Sequence, residues 1–238
     1  MNIKSKIAIV TGASSGIGAE FSKDLVERGA TVYGLARSID KLNKIKKQLG
    51  DRFIPVQQDV TKSDELEKWV SKTFSTKHTP AILINNAGLG YFADVDELKL
   101  DEWNNMLNVN LSGIFYLTRL IVPLMKENEN VCHIFNISSI AGLMGNPQLS
   151  AYNATKYGLR GFSDALYKEL RYDGIKVSCF FPGSIATSFF DAIDEVDQHP
   201  NMMHASDVSN TLIHVLETPD NFLINELTMR PLNPKNPG

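Results

Sequence analysis

Short apolar runs alternate with amphipathic stretches along the whole chain, and that alternation restricts the fold more than any other feature. Runs rich in Ile, Val and Phe fall at 6–10, 31–35, 53–57, 81–84, 131–137, 175–181 and 222–229. Several are apolar without a period-two pattern, as strands covered on both faces should be. Amphipathic stretches fill the intervals at about 17–29, 39–49, 63–76, 101–127, 152–172 and 206–217. Asp64 and Glu65 open the third of these, and Ser206 and Asp207 the last, as helix starts favour. Strands alternating with helices predict βαβ units in an α/β fold: a doubly wound parallel sheet of about seven strands, helices on both faces. A chain of 238 residues is long enough to form this as one domain, 1–238, burying roughly 70–75% of its unfolded surface. The stretch 184–205 shows no clear period and is expected to be a functional loop, and the tail 233–238 to fray.

Composition excludes several classes of partner. The net charge is −3 with Lys and Arg scattered, so there is neither a nucleic-acid footprint nor a polybasic membrane anchor. The apolar run beginning at Ile7 is too short for a signal-peptide core, and no stretch approaches the ~20 apolar residues that span a bilayer. Cys132 and Cys179 each sit in a strand-like run and read as buried free thiols, which fits a reducing cytoplasm. The five histidines show no metal-ligand spacing.

The first strand leads into Thr11-Gly12-Ala13-Ser14-Ser15-Gly16-Ile17-Gly18, and a helix follows. Glycines at 12, 16 and 18 permit a tight turn and let a pyrophosphate approach the backbone at a helix N-terminus, where amides and dipole favour anions. The spacing Gly-x-x-x-Gly-x-Gly differs from the common dinucleotide fingerprint, but its place after the first strand of an alternating chain points to cofactor binding. About twenty residues on, the second strand ends at Arg37. An acidic residue there would bond a ribose 2′-hydroxyl, whereas arginine suits a 2′-phosphate, so NADP(H) is expected over NAD(H). Asp59 and Val60 close the third strand, where Asp59 either meets an adenine amino group or caps the next helix. Further on, Tyr152 and Lys156 stand at i and i+4 and share one helical face, where the ammonium can favour the phenolate. The spacing alone is cheap evidence. It recurs at Tyr172 and Lys176, where Gly174 intervenes and is expected to end the helix.

Thr11–Gly18, Asp59-Val60, Asn85-Asn86-Ala87-Gly88, Asn108-Val109-Asn110, Ser138-Ser139, Tyr152–Lys156 and Pro182-Gly183 together resemble the short-chain dehydrogenase/reductase superfamily, in order and in register from residue 7 to about 190. The resemblance implies a Rossmann-like three-layer domain with strand order 3-2-1-4-5-6-7. It implies that Asn86, Ala87 and Gly88 brace the cofactor turn and that Asn110 holds a proton-relay water near the lysine. Ser139 would bond the substrate oxygen; Ser138 is the alternative, and period-two alternation allows only one of them to face the cleft. Pro182, Gly183, Ile185 and Thr187 would contact the nicotinamide amide, while Lys156 would also hold the nicotinamide ribose. The reaction implied is hydride transfer between the nicotinamide and a ketone or aldehyde, with Tyr152 delivering the proton. Its ordinary pKa near 10 would be brought down by Lys156 and the oxidised nicotinamide.

Expected substrate-lining residues are Leu89, Tyr91, Ala141, Leu143, Met144, Gln148, Phe189 and Phe190, a mainly apolar set suited to a medium-sized small-molecule carbonyl or alcohol. The end of the chain is similar to that of sepiapterin-reductase-like members, and 3-oxoacyl-reductase-like members share the motif set. Relatives commonly end in a glycine-rich segment that packs on a partner subunit; here Arg230-Pro231-Leu232 follows the last strand instead. A homodimer through 101–127 and 152–172 is expected, or a homotetramer. Ala151, Ala154, Gly158 and Gly161 suit either such an interface or tight packing on the sheet. A non-catalytic dinucleotide sensor of the same fold is the other function class, and such proteins commonly lack the tyrosine or lysine present here.

Overall fold

A computed structural model describes residues 1–187 and 201–233. Strands β1 (Ile7–Thr11), β2 (Thr31–Ala36), β3 (Phe53–Gln57), β4 (Ile82–Asn85), β5 (Cys132–Ile137), β6 (Ile175–Pro182) and β7 (Glu226–Met229) form one parallel sheet in the order β3-β2-β1-β4-β5-β6-β7. Strands β4, β5 and β6 are buried at every residue, which explains why their sequences lack alternation. Pro55 lies in β3, an edge strand, where its missing N–H breaks no inner ladder. Helices α1 (Gly16–Glu27), α2 (Ile39–Leu49), α3 (Ser63–Thr73), α4 (Leu100–Leu107), α5 (Gly113–Lys126), α6 (Ser150–Leu170) and α7 (Ala205–Leu216) cover both faces, with α1 packed on α7 and α2, and α3 on α5.

Two elements differ from expectation. The stretch 101–127 is not one helix: α4 and α5 are joined by a π-helical turn at Asn108–Ser112, a wide turn of the kind that accommodates one extra residue. Taken together, Leu100–Lys126 is nevertheless long and apolar enough by composition to cross a membrane, against the reading above. In the fold its apolar residues Ile114, Leu117, Ile121 and Met125 are buried inside the protein. The last strand begins at Glu226, not Phe222. Carbonyls of the preceding residues are taken by side chains: Lys176 Nζ donates to Pro219 O (2.6 Å) and Phe222 O (2.7 Å), and Ser178 Oγ to Ile224 O (2.5 Å). These segments dock on β6 through side chains before ladder pairing begins.

Tyr172 lies exposed in a 3₁₀ turn, Gly174 takes φ +69°, and Lys176 belongs to β6, so the second Tyr-x-x-x-Lys shares no face. Both cysteines are free and buried. Of the expected 184–205 loop, residues 188–200 lie outside the described residues, as do 234–238 of the tail. What is described of the loop is held by a bridge between Ile185 and Met203.

Candidate active site

Strand β1 ends on Thr11, whose hydroxyl organises the turn beyond it. Thr11 Oγ1 accepts from the amides of Asn86 and Ala87, both at 2.9 Å, and Asn86 Nδ2 donates back to Thr11 O at 3.0 Å. The end of β4 is thereby latched to the glycine turn. Gly12 (φ +68°) and Gly16 (φ +55°) occupy backbone that disfavours side chains, and a Cβ on Gly18 would stand 2.3 Å from Gly12 O. Helix α1 starts at Gly16 with no acidic residue in its first turn, and its N-cap Ser15 makes no side-chain cap. The outcome is a bare helix N-terminus behind a close-approach backbone, a cradle fitted to an anionic group such as a pyrophosphate. Ser14, Ser15 and Ile17 lie in the same turn, none of them fully buried.

Of the other predicted cofactor residues, Thr187 meets this turn directly. Thr187 packs against Gly16, with its Cγ2 3.5 Å from where a Cβ on Gly16 would lie, so the segment after β6 meets the glycine turn. Pro182 ends β6, Gly183 N donates to Met229 O (2.8 Å), and Ile185 is buried. Arg37 is exposed just past β2, with Ser38 capping α2 behind it. Asp59 does not cap α3, whose N-cap is Lys62; its Oδ1 instead accepts from the amide (2.9 Å) and hydroxyl (2.8 Å) of Thr61. Val60 fills the space beside Gly113, where a Cβ would come within 2.9 Å of its methyl.

Ser139, Tyr152 and Lys156 come together at the C-terminal edge of the sheet. The Ser139 hydroxyl, which accepts from Ala141 N at 3.2 Å, stands near enough to the Tyr152 phenol to lower its pKa. Ser138 turns the other way, buried, and donates to Lys156 O at 3.1 Å, so the alternation is resolved in favour of Ser139. Lys156 Nζ donates to Ile137 O (3.0 Å) and lies 5.6 Å from the Tyr152 ring centre. Burial pushes the Tyr152 hydroxyl up to about 12, against which the Ser139 hydroxyl works, and burial lowers the Lys156 ammonium to about 8. Among the protein's own groups, then, desolvation outweighs any pull of Lys156 toward the phenolate.

Asn110 sits in the π-helical turn, fully buried. It clasps Leu89 through both backbone groups, accepting from its amide at 2.9 Å and donating to its carbonyl at 2.8 Å, and it donates to Thr155 Oγ1 at 3.2 Å. Gly88 lies between it and Lys156: a Cβ there would be 3.4 Å from Asn110 Oδ1 and 3.7 Å from Lys156 Nζ. Asn110 thus ties the end of β4 to α6 beside the lysine.

A small apolar cluster separate from the main core surrounds Tyr152, made of Met106, Ala141 and Ala151 with Leu89, Tyr91 and Leu98 against it. Leu143 is half-buried, whereas Met144 and Gln148 are exposed. Phe189 and Phe190 lie outside the described residues. Gln148 takes φ +63°, unusual for a side-chain-bearing residue, and its carbonyl accepts from Ala93 N at 3.0 Å.

Four structural contributors escaped sequence reasoning. Thr11 enters the sequence pattern only as the first residue of a glycine motif, and a hydroxyl directly before a turn is the signal of its role. Phe92 stands 6.1 Å from the Tyr152 ring, with no signal in its neighbours. Asn153, beside Tyr152, donates to Ala141 O (2.5 Å) and Met144 O (2.7 Å), fastening the post-β5 segment to α6. Asn136 in β5 accepts from Asn85 (2.8 Å) and donates to Ser163 (2.9 Å), a buried polar row crossing β4, β5 and α6. An amide inside an apolar strand was its trace in the sequence.

Comparison with known proteins places this geometry among relatives. The family model for short chain dehydrogenases matches residues 6–198. An uncharacterized oxidoreductase of Staphylococcus saprophyticus is 32% identical over 97% of each chain. A closed serine dehydrogenase complexed with NADP+ superposes with a TM-score of 0.87 at 28% identity, over 98% of this chain and 97% of that one. A 3-ketoacyl-(acyl-carrier-protein) reductase of Brucella melitensis complexed with NADH gives 0.85 at 26%, over 98% and 100%.

Proposed function

The chain belongs to the short-chain dehydrogenase family, and we propose that it is an NADP(H)-dependent oxidoreductase that reduces a small ketone or aldehyde with Tyr152 as the proton donor, and oxidises the alcohol in reverse. The observation that carries this reading is Lys156 Nζ 5.6 Å from the ring centre of Tyr152, with Ser139 acting on the phenol, on the sheet edge that carries the Gly12–Gly18 cradle. A nicotinamide dinucleotide, when bound, supplies or accepts the hydride. The cradle and the first-turn amides of α1 would hold its anionic middle, with Thr187, Ile185 and Lys156 toward its nicotinamide end. Neighbouring structures hold NADP+ in one case and NADH in another. The choice for this chain therefore rests on Arg37, which is exposed where a 2′-phosphate would be met.

The protein's own groups then handle the proton. Tyr152, with its pKa at about 12, is a phenol at working pH, the form that can give a proton to a developing alkoxide. Ser139 shares that oxygen's hydrogen bond and steadies the charge. Lys156, titrating near 8, lies on the same face and favours proton release as the phenol gives up its hydrogen. The apolar cluster around Tyr152 keeps water from the exchange. Outward-facing Ala154, Gly161, Phe115 and Tyr157 on α5 and α6 support a homodimer, while Ala151 points inward and Gly158 meets Leu111. A cytoplasmic location accompanies this reading.

The test is oxidation of NADPH, and separately NADH, followed by the absorbance of the reduced nicotinamide across ketones, diketones and aldehydes. Turnover with NADPH is expected. Turnover with NADH alone would remove the role given to Arg37, and binding without turnover of any carbonyl or alcohol would return the chain to the sensor class.

A further inference from the structure

We infer that Arg230 is a specificity-determining residue and that the substrate carries a free carboxylate. The inference rests on the oxidoreductase reading above and goes on to name the substrate class. It starts from the register of the sheet. Pro182 of β6 pairs with Met229 of β7, so Arg230 leaves the sheet at the C-terminal edge where β5 delivers Ser139. Its backbone lies against Gly183, with Arg230 Cα 3.6 Å from a Cβ placed there.

From that point its guanidinium reaches across to Met144 Sδ at 3.4 Å. Met144 belongs to the segment that follows Ser139, and its carbonyl is held by Asn153, the residue after Tyr152. Arg230 therefore meets the strip of chain that Asn153 fastens to α6, one residue from Tyr152.

The chemistry of that contact is mismatched. A guanidinium offers a planar fork of donors suited to a carboxylate, and a thioether is a weak acceptor. Among the described residues no carboxylate pairs with Arg230, which is exposed to solvent. A fork cation beside Met144, on the sheet edge where Leu89, Tyr91 and Phe92 lie around Tyr152, would give a mainly apolar site one oriented anion anchor. A keto acid or hydroxy acid matches that arrangement: the carbonyl meets Tyr152 and Ser139, the aliphatic part meets those side chains, and the carboxylate meets Arg230.

The experiment compares a 3-oxo acid with its methyl ester, which keeps the carbonyl and removes the charge, in the wild type, Arg230→Met and Arg230→Lys. The wild type is expected to favour the acid over the ester by tenfold or more in kcat/KM, on the order of one good charge-assisted hydrogen bond. Arg230→Met should cost the acid about that factor, mainly in KM, and leave the ester within about twofold. Arg230→Lys, a charge without the fork, should fall between. The acid-to-ester ratio is internal to each protein, so a general loss of folding does not imitate the result. Equal use of acid and ester by the wild type, or an equal loss on both in Arg230→Met, overturns the carboxylate assignment and leaves the reductase reading standing. Silence toward both compounds and toward every neutral carbonyl and alcohol overturns the oxidoreductase reading itself, and this one with it.

Discussion

Tyr152 and Lys156 owe their titration to the same cause acting in opposite senses. Burial disfavours charge on either, so the phenol is harder to ionise and the ammonium easier to neutralise. The two are matched for a proton that moves only when a substrate oxygen is there to receive it. Tyr152→Phe keeps the ring and its packing while removing that proton. Turnover should fall by about 10²–10⁴, with cofactor affinity held within about twofold, as steady-state rates and a fluorescence titration would measure. Near-normal turnover would take Tyr152 out of its assigned place. Arg37 acts at the other end of the cofactor. Arg37→Asp exchanges a partner for a 2′-phosphate for one suited to a 2′-hydroxyl, and the NADPH-to-NADH ratio of kcat/KM should drop by about 10–100-fold, the scale of a charge-assisted bond. An unchanged ratio would show that specificity is set elsewhere. These residues were readable in the sequence because their spacing maps onto one face or one strand end. Phe92 was not readable, since its approach to Tyr152 depends on how an irregular segment folds back.

At the scale of elements, the site is held by side chains that bridge strand ends rather than by the strands themselves. Thr11 ties β1 to β4, Asn110 ties β4 to α6, and Asn153 ties the segment after β5 to α6. Thr11→Val is nearly isosteric and removes the acceptor for two amides. It should destabilise the fold by about 1–3 kcal/mol, the cost of leaving such donors unmet, and weaken cofactor binding through a loosened glycine turn. Chemical denaturation and a cofactor titration would read both, and unchanged values for both would show that the latch is ornamental. Hydrophobic periodicity located all seven strands of the sheet and the helical stretches between them among the described residues, yet it merged α4 with α5 and missed the π-helical turn at Asn108–Ser112 that joins them. One extra residue shifts the apolar stripe of α5 relative to α4 without interrupting its composition, so 101–127 reads as a single amphipathic stretch. Likewise the chain before Glu226 is apolar enough to read as a strand, but the carbonyls of Pro219, Phe222 and Ile224 are met by the side chains of Lys176 and Ser178.

The molecule as a whole keeps its chemistry at one edge of the sheet and carries a second polar device toward the other. The alternation of apolar and amphipathic runs was enough to specify the parallel sheet, whereas this device depends on cross-strand neighbours that no local pattern records. His133 lies near the start of β5, buried and stacked on Phe135 at 4.0 Å, beside Lys176 in the β5–β6 register. Ser178 Oγ gives its only proton to Ile224 O, so in the 2.8 Å contact with His133 Nε2 it is the acceptor and the imidazole the donor. The ring is then neutral with Nδ1 as its acceptor atom, and Nδ1 is buried without a partner. Burial first, then the Lys176 charge and the N-terminal amine, hold its pKa well below the ordinary imidazole value. The unfolded chain takes up a proton at His133 as pH falls below about 6.5, while the folded chain does not. Protonation therefore favours unfolding: this contribution is fully present above about pH 6.5 and is lost progressively on acidification toward the lower folded pKa, by at most about 1.4 kcal/mol per pH unit. Denaturant midpoints measured between about pH 6.5 and 5 should fall accordingly, in a range above the ordinary carboxylate values. His133→Gln, which can still donate to Ser178 and does not titrate, should flatten that decline. A variant whose midpoint falls as steeply as the wild type would place the acid sensitivity outside His133.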